Sequence, residues 1–147
     1  LERAKNKFYK NTENYFRFTY LVNRKNTDIS QRNLYFQSGV LVDDTDGFFY
    51  GMHGDWETRR WFSGFGYKDT KNTFGQDYTD QYIQLGVAPY VGDYGDLHTW
   101  IMIKTKKNSL TNTQSTYPEL KFFKGPTLVK FGYSDKTEWD LHFMYRF

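Results

Sequence analysis

Five cations of the chain, Arg17, Lys104, Lys106, Lys130 and Arg146, are spread among aromatic and aliphatic residues rather than gathered into a basic run. Each falls on the polar side of a segment that alternates between apolar and polar residues, so each is expected on the polar face of a strand. Cations lining a narrow, low-dielectric passage focus its field and raise the local concentration of anions. Arginine adds a planar fork that fits a carboxylate. Tyr35, Tyr82 and Tyr90 offer flat faces beside them on which a sugar ring could stack. The competing expectation is that the cations pair with Asp55, Glu57 and Asp140 and fill a closed interior.

Two further groupings carry weaker chemistry. His53, Asp55 and Glu57 alternate on one strand face and could hold a divalent metal or exchange protons. No second histidine cluster joins them, and a polar strand face explains them as well. Asp43-Asp44-Thr45-Asp46-Gly47 has the acidic look of a calcium loop but lacks its ligand spacing and closing Glu, and reads as a hairpin turn. The chain has no nucleophile elbow, phosphate loop, dinucleotide glycine pattern or zinc-protease helix. No enzymatic activity, cofactor or resident metal is expected.

The elements that must position these residues are constrained by composition. In 147 residues the chain holds 4 Trp, 13 Tyr and 14 Phe against 10 Leu, 4 Ile and 6 Val. A water-soluble core is usually built on aliphatics instead. Cysteine is absent, which excludes a disulfide scaffold and a thiolate metal site. No window reaches the apolar length of a membrane helix. The net charge of +3 divides into +5 over residues 1–32, −6 over 33–100 and +4 over 101–147. No basic tail marks a nucleic-acid partner.

Period two recurs along the chain. Phe16, Phe18, Tyr20 and Val22 alternate with Arg17, Thr19 and Leu21. Leu34, Phe36, Val40 and Val42 alternate with Tyr35, Gln37 and Gly39. Phe48, Tyr50, Met52 and Trp56 oppose Gly51, His53, Asp55 and Glu57. Further strands are expected over 82–91, 97–106, 127–133 and 139–147, with Lys104, Lys106, Lys130, Asp140, His142 and Arg146 on polar faces. Short turns are expected at 43–47, 92–96 and 134–138, and long polar loops at 24–32, 68–80 and 107–118. That alternation of short and long connections is the layout of an up-and-down meander in an outer-membrane barrel.

The faces decide the environment. Soluble barrels turn apolar side chains inward, whereas membrane barrels reverse this. Here the polar faces combine charge with Gly and Ala, which suits a crowded concave interior. The apolar faces end in Tyr, Trp or Phe, where an interfacial girdle would sit.

The stretch Gly125-Pro126-Thr127-Leu128-Val129-Lys130-Phe131-Gly132-Tyr133, a short turn, and Leu141-His142-Phe143-Met144-Tyr145-Arg146 resemble a strand pair of the oligogalacturonate-specific porin family. This family includes the N-acetylneuraminate-inducible channel. The segment 82–107 is similar to that family's hairpin in length and face pattern. The resemblance implies a monomeric outer-membrane barrel for acidic oligosaccharides, with Arg17, Lys104, Lys106, Lys130, Arg146, Tyr35, Tyr82 and Tyr90 lining the pore. The chain departs from the family in having few arginines at the matching positions.

The expectation is a single all-β domain over 1–147. It is an antiparallel up-and-down transmembrane β-barrel, or the larger part of one, in a Gram-negative outer membrane. Seven strands are counted where a barrel needs an even number; 5–10 and 61–68 are the candidates for an eighth. Acidic oligosaccharides would pass through the lumen, and outer-membrane lipid would cover the outside. Two alternatives stand beside this. One is a closed eight-stranded membrane barrel whose loops bind a ligand; the other is a secreted, soluble carbohydrate-binding barrel.

Overall fold

The computed structural model describes residues 2–6, 11–42, 47–71, 76–93, 95–135 and 138–145, with 2–6, 11–15, 41 and 138 as backbone alone. These residues form ten strands and no helix. The strands are β1 (Glu2–Asn6), β2 (Asn11–Asn26), β3 (Ser30–Leu41), β4 (Phe48–Thr58) and β5 (Trp61–Lys71), then β6 (Tyr78–Val87), β7 (His98–Asn108), β8 (Thr113–Lys124), β9 (Thr127–Ser134) and β10 (Glu138–Tyr145). All belong to one sheet in chain order, and every neighbouring pair is antiparallel.

The sheet is strongly curled. Lys121 of β8 comes within 4.0 Å of Glu57 of β4, although four strand spacings, roughly 19 Å along a flat sheet, separate those strands. Side chains that meet across such a gap define the concave face. The all-β meander expected from the period-two pattern is therefore present.

The strand count of seven needs correction. The candidate 61–68 lies within β5, while residues 7–10 of the candidate 5–10 lie outside the described residues. β5 is obscured in the sequence because Gly64 and Gly66 interrupt its pattern. A Cβ at Gly66 would stand 2.2 Å from the Tyr82 ring, so the missing side chain makes room for its neighbour. β8 begins inside the segment expected to be a polar loop, because its outward residues at that end are Gln114 and Thr116.

The loop pattern also differs. The expected long loops at 24–32 and 107–118 shrink to turns at 27–29 and 109–112, while Gly92–Asp96 belongs to the longer connection 88–97. Thr27 holds the first turn, its backbone N–H donating to the Ser30 carbonyl at 2.8 Å and its Oγ1 accepting from the Ser30 N–H at 3.0 Å. Moreover, the β6–β7 connection lies at the opposite end of the sheet from the β3–β4 and β9–β10 connections, since strand direction alternates. Of the expected short turns, residues 43–46, 94 and 136–137 lie outside the described residues.

One register row shows how the two faces differ. Trp61, Val87, Ile101, Leu120, Phe131 and Leu141 are successive partners across β5 to β10. All lie on the convex side, with Trp61 60%, Ile101 49% and Leu141 71% exposed. Phe18, Tyr20, Phe36, Phe48 and Met52 continue that apolar surface over β2 to β4. Gln37, Gln84, Glu119 and Lys121 are instead buried on the concave side. Polar groups thus lie within and large apolar groups without, which inverts the arrangement of a water-soluble barrel. Apolar exceptions on the concave side include Phe62, Trp100 and Met102, which cluster with Ala88, and the buried Phe49 and Leu128.

Candidate functional site

The concave face is organised by register into layers. One row runs Trp100, Lys121, Lys130 and His142 across β7, β8, β9 and β10. Lys121 and Lys130 are direct partners in the β8–β9 ladder, so two ammonium groups share one patch of wall. The Lys121 ammonium lies 4.4 Å from the Phe62 ring centroid and 5.7 Å from that of Trp100. These rings hold the charge by their electron-rich faces, while Glu57 stands at 4.0 Å. Among the described residues Lys130 has no carboxylate within ion-pair distance.

Opposite this row, Tyr35 stacks on His53 at 4.9 Å with an interplanar angle of 13°. Arg24 donates to Asn33 Oδ1 at 2.7 Å and to the Tyr35 hydroxyl at 3.2 Å. Asn33 passes the chain on, donating to Asp55 Oδ1 at 2.8 Å. Tyr82 and Gln84 of β6 form the wall between, and the buried Gln84 Oε1 has no hydrogen-bond partner among the described residues. Together these residues enclose a cavity of about 820 Å³. It offers cations and flat rings on facing walls, which is a chemistry suited to a hydroxyl-rich anion.

The next layer toward the β3–β4 end is electrically closed. Asp140 Oδ2 accepts from Lys106 at 2.7 Å, Lys104 at 3.0 Å and the Tyr117 hydroxyl at 2.6 Å. Lys104 also reaches Glu119 Oε2 at 3.3 Å. This knot ties β7, β8 and β10 together. A third region, of about 330 Å³, is lined by Arg17, Gln37, His53, Lys68, Asp80 and Tyr82. There the Arg17 guanidinium donates to Gln37 Oε1.

The residues expected to line a pore are therefore distributed unevenly. Arg17, Lys104, Lys106, Lys130, Tyr35 and Tyr82 occupy the concave face, but Lys104 and Lys106 are engaged by Asp140 and Glu119. Arg146 lies outside the described residues. Tyr90 is off the wall: it sits in the 88–97 connection, its hydroxyl donating to the Leu97 carbonyl at 2.5 Å and contacting Thr99 Oγ1 at 2.9 Å. His53, Asp55 and Glu57 share the face of β4 but turn to Tyr35, Asn33 and Lys121 respectively. Among the described residues no group of three His, Asp or Glu side chains is placed to hold a metal.

Arg24, Gln84, Trp100, Lys121 and Glu119 were not among the expected site residues. The signal for Glu119 and Lys121 is the alternation Tyr117, Glu119, Lys121, Phe123 against Pro118, Leu120, Phe122, which a loop reading of 107–118 conceals. In comparisons with protein-family models, curated proteins and solved structures, none matches the chain.

Proposed function

We propose that the chain forms the wall of a transmembrane β-barrel in a Gram-negative outer membrane and passes acidic oligosaccharides by passive diffusion along its concave face. The inversion of the two faces supports the membrane placement. An apolar row from Trp61 to Leu141 would be costly in water, whereas hydrocarbon covers it without penalty. Anion selection is carried by one observation: Lys121 and Lys130 stand opposite each other in register, with His142 beside them and the Phe62 and Trp100 rings adjacent. Like charges directly opposed across a ladder repel. An anionic group between them relieves that repulsion, and the rings give a sugar face a place to stack. Lys104 and Lys106 act as structural charges in this scheme.

The test is conductance of the full chain inserted into a planar bilayer, with trigalacturonate added to one side. Anion-preferring conductance that the sugar acid blocks supports the reading. Insertion with no conductance, or conductance insensitive to the sugar acid, overturns it. A soluble carbohydrate-binding barrel, the second reading, would stay in solution without detergent, and partition between buffer and detergent separates the two.

A further inference from the structure

The convex face carries a second pair of opposed cations, at the end bearing the β2–β3 turn. Lys25 of β2 and Arg32 of β3 are direct register partners, and Arg32 is in turn the partner of Trp56 on β4. The β-bulge between Leu21 and Asn23 sets this register. Without the added residue Lys25 would face inward and Arg24 outward. Lys25 and Arg32 are both exposed, and among the described residues neither makes an ion pair. Asp28, in the intervening turn, is exposed and pairs with neither. Arg60 stands exposed in the adjacent β4–β5 turn, between Trp56 at 42% and Trp61 at 60% exposure.

Two like charges directly opposed on an outward face destabilise a ladder unless an anion lies between them. They also sit within a few residues of the strand ends, beside indole rings, and on the outer-membrane reading such a position is where strands meet lipid headgroups. We infer that Lys25 and Arg32, with Trp56, form a seat for the phosphomonoester of a lipid A headgroup. This rests on the outer-membrane reading. Two cations match the near-dianionic charge of a phosphomonoester, whereas a phosphodiester lipid supplies one negative charge. The guanidinium grips two oxygens and the ammonium a third, while Trp56 packs on the sugar or upper acyl region.

The experiment folds the full chain into vesicles of phosphatidylcholine alone, or doped with phosphatidylglycerol, or doped with bisphosphorylated lipid A. Bound lipid is then counted by native mass spectrometry. Lipid A should be retained in preference to both other lipids. The double substitution K25Q/R32Q should weaken that retention about 30-fold, and K25R/R32K should keep it. K107Q, an outward cation at the other end, should leave it unchanged. Equal retention of phosphatidylglycerol, or no change in K25Q/R32Q, overturns the seat while the membrane reading stands. Failure of the unaltered chain to insert into phosphatidylcholine vesicles overturns both. Far-UV circular dichroism confirms that each variant is folded.

Discussion

Lys121 of β8 and Lys130 of β9 face each other across one ladder on the concave wall, with Glu57 4.0 Å from Lys121. The arrangement concentrates positive charge in one layer, while the layer beside it is neutralised by Asp140 and Glu119. On the proposed reading, position along the strands, rather than the number of cations, decides where an anion would be held.

Reversing the opposed pair should reverse its effect. K121E/K130E is expected to abolish anion preference and to weaken block by trigalacturonate at least about tenfold per charge. Reversal potentials in a salt gradient read the first effect and titrated block reads the second. Unchanged selectivity would remove the pair from the pathway. Arg17→Glu, in the smaller cavity, should shift selectivity in the same direction but by less.

Asp140→Asn should have two opposite consequences. It frees Lys104 and Lys106 from their shared acceptor, so anion conductance should rise. It also unties β10 from β7 and β8, at a cost of about 2 kcal/mol in folding stability. Denaturant titration of heat-modifiable mobility on gels measures the second quantity. Stability equal to the unaltered chain would show that the knot does not hold β10.

A cation on the convex row should disfavour folding into a bilayer. Ile101→Lys places one at 49% exposure between Val87 and Leu120, with an expected loss of about 2–4 kcal/mol if that row lies near the membrane midplane. Folding yield into vesicles under a urea series is the measurement. A soluble barrel would show improved solubility instead, with no loss of stability.

Gly66→Ala should push the Tyr82 ring from its position, since the new carbon would lie 2.2 Å from it. Overpacking of this kind costs about 1–3 kcal/mol. Weaker block by the sugar acid should accompany the lower stability, because Tyr82 lines both cavities.

Tyr90→Phe separates the loop from the wall. Loss of its hydrogen bonds to Leu97 and Thr99 should loosen the 88–97 connection and speed amide exchange there. Block by trigalacturonate should not change. A fall in sugar affinity would return Tyr90 to the binding surface.

Much of the fold was legible because strands with unlike faces print a period of two, and aromatics mark the apolar side from Phe16 through Tyr145. β5 was hidden by glycines whose absent side chains answer to Tyr82 and Gln84 on the next strand, β6. β8 was hidden because polar outward residues and Pro118 mimic a loop. Proline cannot donate to the ladder, and the β8–β9 pairing runs only from Glu119 onward. The faces of Lys104, Lys106 and Lys130 were legible for the same periodic reason. The engagement of Lys104 and Lys106 by Asp140 is the competing expectation realised, whereas the parts played by Glu119 and Lys121 were hidden, because both belong to the strand that the pattern concealed. Charge balance within a lumen depends on which strands become neighbours, and the local pattern does not state that.

Each strand in this sheet bonds to the strands that precede and follow it in the chain. Assembly therefore needs no distant segment to arrive before the next pairing can close, and the loop-closure cost stays small at each step. The girth of such a wall is a matter of how many hairpins are laid down. Two strands more or fewer would change its curvature yet leave every remaining side chain facing the same way, so width can be altered without redesigning the lining.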